Sequence, residues 1–338
     1  MEIVLHLGVH KTASTYLQSL LETNIVPLER HCVGFANPKK LRPMFALAPR
    51  RNFSTPRAAR NEARAWALRQ VIDTAHDLQR KRLIISEEQL IGSLRPLFSG
   101  KGLYRDIARE LRGVVTALQG QPVKVMMALR SYDTFLTSAY GQVLTGWKYI
   151  RFTQELREHL LRENRGWPEI VTEIMQVLPK GSTLSLWEYE HFGQEEPNVL
   201  RNLVGDAAAD DLVPLNTKPR VGPSGDGIAA LDKKAASGGA PDVEEIRRTL
   251  REFGKDKGFP GYCPWSASEK AMFEDRYKRD IELIRCLWPE ALLSGYEPPC
   301  AIPNNPNGQD RLFQRPTRRP ITNLQKQITY RRPIIDTF

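Results

Sequence analysis

The sequence has few cysteines and no long apolar run, and these two absences remove several classes of protein. Four cysteines are spread over 338 residues, and none forms a C-x-x-C pair: Cys32, Cys263, Cys286 and Cys300. Zinc knuckles and dithiol redox motifs need such pairs, so we expect buried free thiols in a reducing compartment. No apolar run approaches the ~20 residues of a membrane-spanning helix, so no transmembrane segment is expected.

The first residues also lack the layout of a secretion signal. No basic segment precedes the apolar residues 3–7, and that apolar stretch is too short. A cytoplasmic location is therefore expected. The net charge of +10 favours anionic partners, such as nucleic acid, a polyanionic cofactor or an acidic glycan. The basic residues are dispersed rather than collected in one run, so the charge alone selects none of these partners.

Short apolar runs alternate with longer helical patterns over most of the chain. Four runs predict strands that each end at a polar or charged residue: 3–7, 82–85, 123–129 and 183–187. Strands alternating with helices predict an α/β fold with a central parallel sheet covered by helices on both faces. Ligands of such sheets bind at the carboxyl ends of the strands, where the polar residues should converge. We expect one domain over residues 1–295 and an extended Pro/Arg/Asn-rich tail over residues 296–338.

The first predicted strand leads into a loop, GVHKTAST, that suits a phosphate group. An ATP-binding loop would need glycines at the positions of Leu5 and His10, so a standard ATP site is disfavoured. Gly8 and Lys11 remain, followed by small hydroxylic residues at the predicted start of a helix, whose N–H groups can hold a phosphate. The alternative is a plain strand–turn–helix in which Thr12 or Ser14 caps the helix.

The stretch HLGVHKTASTYLQ resembles the 5′-phosphosulfate loop of sulfotransferases that use 3′-phosphoadenosine 5′-phosphosulfate (PAPS). That loop often has the pattern K-[ST]-G-[ST]-[ST] followed by an aromatic residue, and Ala13 stands here at the glycine position. An alanine is expected to fit only with ordinary helical backbone angles. The resemblance implies a three-layer, P-loop-like fold. It also implies cofactor contacts from His10, Lys11, Thr12, Ala13, Ser14 and Thr15.

A second segment, LRSYDTFLTSAYGQ, strengthens this resemblance. The family has an arginine after a core strand and a serine eight residues later, both binding the 3′-phosphate, and Arg130 and Ser138 have that spacing. An arginine fork suits a terminal phosphate because it donates two parallel hydrogen bonds. The alternative is a surface arginine in an ion pair and an ordinary helical serine.

Two weaker similarities follow. The segment WEYEHF resembles the family's Y-E-D-L segment through Tyr189 and Glu190, for which a structural role is expected. The segment RVGPSGD resembles a loop that covers the 3′-phosphate, which makes Arg220 a further candidate contact. A turn-rich linker is the alternative for this second segment.

Sulfuryl transfer requires charge neutralisation at the leaving group and a base for the acceptor hydroxyl. Lys11 is the expected partner of the bridging oxygen. Glu87 is the first candidate base because it directly follows the strand ending near Ser86, with Glu88 second and His10 a rival within the loop. The alternative for Glu87 is a carboxylate at a helix N-terminus, with Ser86 as the N-cap. No metal is required.

The sequence thus predicts a PAPS-dependent O-sulfotransferase that acts on a hydroxyl of a glycan, lipid or small metabolite and releases adenosine 3′,5′-bisphosphate. Two alternatives stay open: a P-loop nucleotide-dependent kinase, and a non-catalytic protein that binds anions or nucleic acid. A sulfotransferase fold that binds its nucleotide without catalysing transfer is a further one. Nucleic acid is not an expected partner, and a homodimer is a possibility.

Overall fold

A computed structural model describes residues 1–8, 11–47, 56–215 and 222–293. The chain divides into two units, Met1–Cys300 and Ala301–Phe338, and the second lies wholly outside the described residues. The first unit has the predicted α/β architecture, in which helices cover both faces of one parallel sheet. The predicted tail, residues 296–338, lies outside the described residues.

The sheet has five parallel strands in the order β2-β3-β1-β4-β5. Their bounds are β1 Glu2–His6, β2 Val33–Ala36, β3 Arg82–Ser86, β4 Lys124–Leu129 and β5 Thr183–Glu188. The four predicted strands are confirmed to within one residue at each end, because apolar runs buried on both faces identify strands of a parallel sheet. Strand β2 was not predicted, since its four residues include Gly34 and make no continuous apolar run.

Fourteen α-helices are present among the described residues. They are α1 Ser14–Thr23, α2 Ile25–Arg30, α3 Pro38–Leu47, α4 Pro56–Asp77, α5 Ile107–Glu110, α6 Arg112–Leu118, α7 Tyr132–Gly146, α8 Gln154–Arg162, α9 Trp167–Val177, α10 Phe192–Val204, α11 Asp206–Asp210, α12 Gly225–Gly238, α13 Val243–Glu252 and α14 Ala267–Leu287. Short 3₁₀ turns follow β3 at Glu88–Ile91 and β5 at Tyr189–His191.

The two faces of the sheet carry separate apolar cores, as the alternation of side chains along β1 requires. Ile3 and Leu5 point into the larger core, which α4, α6, α7, α9 and α14 cover. Val4 points into the smaller core, which α1, α2, α10 and α11 cover. The smaller core includes Leu17 and Trp187, both fully buried. This packing fixes α1, and therefore the loop that precedes it, against β1.

The strand order places the topological switch point between β1 and β4. The connection after β1 runs towards β2 at one edge of the sheet, whereas the connection after β4 runs towards β5 at the other edge. Open α/β sheets bind ligands in the crevice that such diverging connections leave at the carboxyl ends of the strands. The segments that follow His6 and Leu129 therefore border the expected site.

One expectation about the cysteines is wrong. Cys263 and Cys286 are exposed and Cys32 is half-buried, so none of the described thiols belongs to a core. Cys263 lies on a loop, Cys286 on the outer face of α14, and Cys32 just before β2. Packing does not require an apolar side chain at these positions. Cys300 lies outside the described residues. No helix in the described part of the chain is both long and apolar enough to cross a membrane.

Candidate functional site: the carboxyl edge of the sheet

The loop after β1 approaches α1 so closely that Gly8 has no room for a side chain. A Cβ atom at Gly8 would overlap the Ser14 hydroxyl and lie 3.4 Å from Cε1 of His6. Ser14 itself is 8% exposed, and its Oγ has no hydrogen-bond partner among the described residues. The loop thus holds a buried hydroxyl group at the start of α1.

The backbone of this loop is left-handed at two positions that are not glycine. Lys11 has φ 72°, and Ala13 has φ 60° and ψ 11°. Ala13 therefore does not have the ordinary helical angles with which an alanine was expected to fit. The left-handed conformation costs an L-residue roughly 1–2 kcal/mol, and glycine adopts it freely. Ala13 therefore has a backbone conformation that glycine adopts more readily than alanine, and such strain tends to occur at functional sites.

Helix α1 begins without a side-chain cap. Its N-cap residue is Ala13, which has no side-chain acceptor, and its first turn contains no acidic residue. Neither Thr12 nor Ser14 therefore occupies the N-cap position that the alternative gives them. Thr12 is fully buried and Thr15 is exposed. The positive end of the helix dipole is left without an acidic partner in its own first turn, which suits an anionic ligand.

Arg130 joins the end of β4 to this loop. Its Nη1 donates to the backbone carbonyl of Lys11, and its Nε donates to Oγ1 of Thr134 at 3.0 Å. The guanidinium carbon lies 4.4 Å from the centre of the Tyr189 ring, in a cation–π contact from the end of β5. The structure therefore brings together segments that are 119 residues apart in sequence.

The charge of Arg130 is partly desolvated by burial. Burial lowers the pKa of Arg130, while Tyr189, Glu190 and Asp133 act in the opposite direction. None of the ion pairs formed within the described residues includes Arg130, so the alternative of a surface ion pair is not supported there. A half-buried guanidinium of this kind gains from a bound anion.

Ser138 lies on the same face of α7 as Thr134, one turn further along the helix. It is half-buried. Thr134 was not singled out from the sequence, although its i−4 spacing from Ser138 was available as a signal. The 3₁₀ turn that follows β5 contacts the junction between β4 and α7, because Oε1 of Glu190 accepts from the backbone N–H of Ser131 at 2.9 Å. This contact is consistent with the structural role expected for Glu190.

Glu87 follows β3 and is fully buried in an ion pair. Arg42 of α3 donates to both of its carboxylate oxygens, each at 2.8 Å, and the backbone N–H of Gln89 donates to Oε1 at 3.0 Å. Glu87, not Ser86, is the N-cap of the following 3₁₀ turn. Arg42 also donates to Glu88 at 2.9 Å, and the Glu88 side chain is 20% exposed. Arg42 was missed because α3 was not predicted, and no local motif marks it.

The carboxyl edge therefore has two halves with opposite charge. The cationic half consists of Lys11, Arg130, Thr134 and Ser138 at the ends of β1 and β4. The acidic half consists of Glu87, Glu88 and Arg42 at the end of β3. Because β1 lies between β3 and β4 in the sheet, the two halves are neighbours.

Two predicted site residues, His10 and Arg220, lie outside the described residues. The chain that follows Arg220 is placed against α7, because a Cβ atom at Gly141 would lie 2.6 Å from Cδ of Pro223. Gly141 is three residues beyond Ser138. Within the described ranges, no group of three or more His, Cys, Asp or Glu side chains is arranged to hold a metal ion.

Comparisons of this chain with protein-family models, with curated proteins and with solved structures return no match. The assignment of function therefore depends on the geometry of the site and on the resemblance of its motifs.

Proposed function

We propose that the protein is a PAPS-dependent O-sulfotransferase. The observation that carries the proposal is the hydrogen bond from the Arg130 guanidinium to the carbonyl of Lys11. It couples the candidate 3′-phosphate residue to the candidate 5′-phosphosulfate loop at the switch point of the sheet. A ligand with a phosphate at each of two ribose positions would contact both segments at once.

In this proposal each segment has its own task. The Lys11 ammonium, the N–H groups at the start of α1 and the hydroxyls of Ser14 and Thr15 bind the 5′-phosphosulfate. Arg130 and Ser138 bind the 3′-phosphate, and Arg220 stays a predicted contact. PAPS supplies the sulfuryl group, which passes from the phosphate oxygen to the acceptor oxygen. Lys11 neutralises the negative charge that develops on the oxygen of the leaving bisphosphate.

The acidic half supplies the base that removes the acceptor proton. Glu87 has no exposed surface and both of its oxygens accept from Arg42, whereas Glu88 is partly exposed. The described arrangement therefore favours Glu88, while Glu87 holds Arg42 in place. Glu88→Gln should slow transfer by about 10²–10⁴-fold with little change in nucleotide binding. If Glu88→Gln retains full activity, the base is Glu87 or His10.

Isothermal titration with adenosine 3′,5′-bisphosphate tests the nucleotide site. The wild type should bind it more tightly than ATP with Mg²⁺, and Lys11→Ala should weaken that binding sharply. Lys278→Ala is a matched control, because Lys278 is an exposed lysine paired with Glu274 on α14. No binding of the bisphosphate by the wild type would reject the proposal, and preferential binding of ATP would favour a kinase.

Transfer of radiolabelled sulfate from PAPS to a panel of hydroxyl-bearing glycans, lipids and small metabolites tests the activity itself. Binding of the bisphosphate without transfer to any acceptor would instead support a non-catalytic protein. The expectations of a cytoplasmic location, of a homodimer and of no nucleic-acid partner stay predictions.

A further inference from the structure

A buried polar network lies behind the loop, between the two halves of the carboxyl edge. His6 at the end of β1 is 1% exposed and stands in register with Ser86 on β3. Nδ1 of His6 lies 2.8 Å from Oγ of Ser86. Nε2 of Gln18, on α1, donates to the same Oγ at 3.0 Å and to Oε2 of Glu88 at 3.4 Å.

The donors and acceptors of this network determine where the protons lie. A carboxylate only accepts, so the Gln18 amide nitrogen faces Glu88 and also donates to Ser86. The Ser86 hydroxyl hydrogen then needs an acceptor, and Nδ1 of His6 is the acceptor within reach among the described residues. With the Ser86 hydroxyl as the donor, the imidazole carries its proton on Nε2. Burial lowers the pKa of His6 to about 4, against the opposing effect of Glu88, so the ring is neutral at physiological pH.

The other side of the ring faces the start of α1. Nε2 of His6 and Oγ of Ser14 are both buried and have no hydrogen-bond partner among the described residues. A Cβ atom at Gly8 would meet the Ser14 hydroxyl and lie 3.4 Å from Cε1 of His6, the ring carbon bonded to Nε2, so Gly8 lies beside both side chains. Ser14 and Gln18 are four residues apart on α1 and therefore share the face of that helix. Buried polar groups are seldom left unpaired, so we expect one arrangement that gives both atoms a hydrogen-bond partner.

We infer that His6 is a positioning residue, whose Nε2–H is directed to the Ser14 hydroxyl oxygen through one water. The Ser14 hydroxyl hydrogen then remains free to be donated to the anion bound at the start of α1. Hydrogen bonds of Gln18 and Ser86 select the tautomer of His6, and His6 in turn orients Ser14. This inference rests on the proposed function only for the identity of the anion.

The tautomer is tested on the unliganded protein by ¹H–¹⁵N correlation spectra of the chain labelled at its six histidines. A His6→Phe variant identifies the His6 signals. We expect an unprotonated Nδ1 and a protonated Nε2 in the wild type, and a mixture of tautomers in Ser86→Ala. A protonated Nδ1 in the wild type would overturn the inference, whatever the outcome for the proposed function.

The consequence for binding is measured with adenosine 3′,5′-bisphosphate and, separately, with inorganic sulfate. Ser14→Ala and Ser86→Ala should each weaken binding by about threefold to tenfold, the effect of about one hydrogen bond. The double variant should be no weaker than Ser14→Ala, because Ser86 acts through Ser14. Thr23→Ala, which removes an exposed hydroxyl from the same helix, is the control.

Ser86→Ala removes only a hydroxyl group, so it keeps the test decisive if His6→Phe fails to fold. Unchanged affinity in Ser86→Ala, or additive losses in the double variant, would also reject the inference that Ser86 acts on Ser14 through His6. If the wild type bound sulfate but not the bisphosphate, the proposed function would fail. The role of His6 in orienting Ser14 would still be decided by the sulfate titrations.

Discussion

The two halves of the carboxyl edge differ in how their charged side chains are neutralised. In the acidic half, the buried charge of Glu87 is neutralised within the protein by the two-pronged contact with Arg42. In the cationic half, Arg130 contacts a carbonyl, a hydroxyl and an aromatic ring, but none of its described partners is a carboxylate. The first arrangement is an ion pair within the protein, whereas Arg130 forms no ion pair among the described residues, although Glu190 and Asp133 lie near enough to favour its charge. The difference identifies the cationic half as the side where an anion should bind.

Removing Arg42 should disrupt the acidic half and give the largest change in free energy of the substitutions that follow. Arg42→Ala leaves the carboxylate of Glu87 buried and unpaired, so we expect a loss of about 3 kcal/mol in the free energy of unfolding. The estimate is at the low end for a buried pair because the Arg42 side chain is 44% exposed. Urea denaturation measures it. Combining Arg42→Ala with Glu87→Gln should recover part of the loss, and a lack of recovery would contradict this account.

Removing Arg130 should leave the fold nearly intact and break the ligand site. We expect Arg130→Ala to weaken bisphosphate binding by roughly 30-fold, or about 2 kcal/mol. Arg130→Lys should recover only part of this affinity, because an ammonium cannot donate two parallel hydrogen bonds. Calorimetry measures both variants against Arg162→Ala, an exposed arginine in an i,i+4 pair on α8. Equal affinity in Arg130→Ala and in the control would show that the cationic half is not the nucleotide site.

Substitution of Tyr189 tests the cation–π contact between its ring and Arg130. Tyr189→Leu removes the cation–π contact, and we expect a threefold to tenfold weaker affinity for the bisphosphate, or about 1 kcal/mol. Tyr189→Phe keeps the ring and should bind like the wild type. A similar loss in both variants would assign the effect to the hydroxyl group instead of the ring.

The strained backbone of the loop predicts a small gain. Ala13→Gly should stabilise the fold by about 0.5–1 kcal/mol, because relief of the left-handed strain exceeds the added chain entropy of glycine. Gln119→Gly is a matched control, since Gln119 has φ 49° and is remote in sequence from the loop. Both variants should raise the melting temperature, and only Ala13→Gly should alter bisphosphate affinity. A fall in stability of Ala13→Gly would contradict the assigned strain.

The sequence is sufficient to predict the central strands and the convergence of two segments, Lys11 with its loop and Arg130. Both follow from local patterns: buried apolar runs, and polar residues at strand ends that a parallel sheet must bring to one edge. The left-handed conformation of Ala13 was not predicted, because residue type favours right-handed angles there and tertiary packing overrides that preference. The pairing of Arg42 with Glu87 joins residues 45 apart through an unpredicted helix, so no local pattern encodes it.

The contact between Arg130 and Lys11 also has a consequence for the order of events during synthesis. The two residues are separated by 119 positions, which a ribosome adding roughly 5–20 residues per second covers in about 6–24 s. Strand β1 pairs on one side with β3 and on the other with β4, both of which emerge after it. For that interval the most central strand of the sheet has at least one open edge, and open edges can pair with other chains. Slower translation before Arg130 should therefore lower the yield of folded protein more than slower translation after β5.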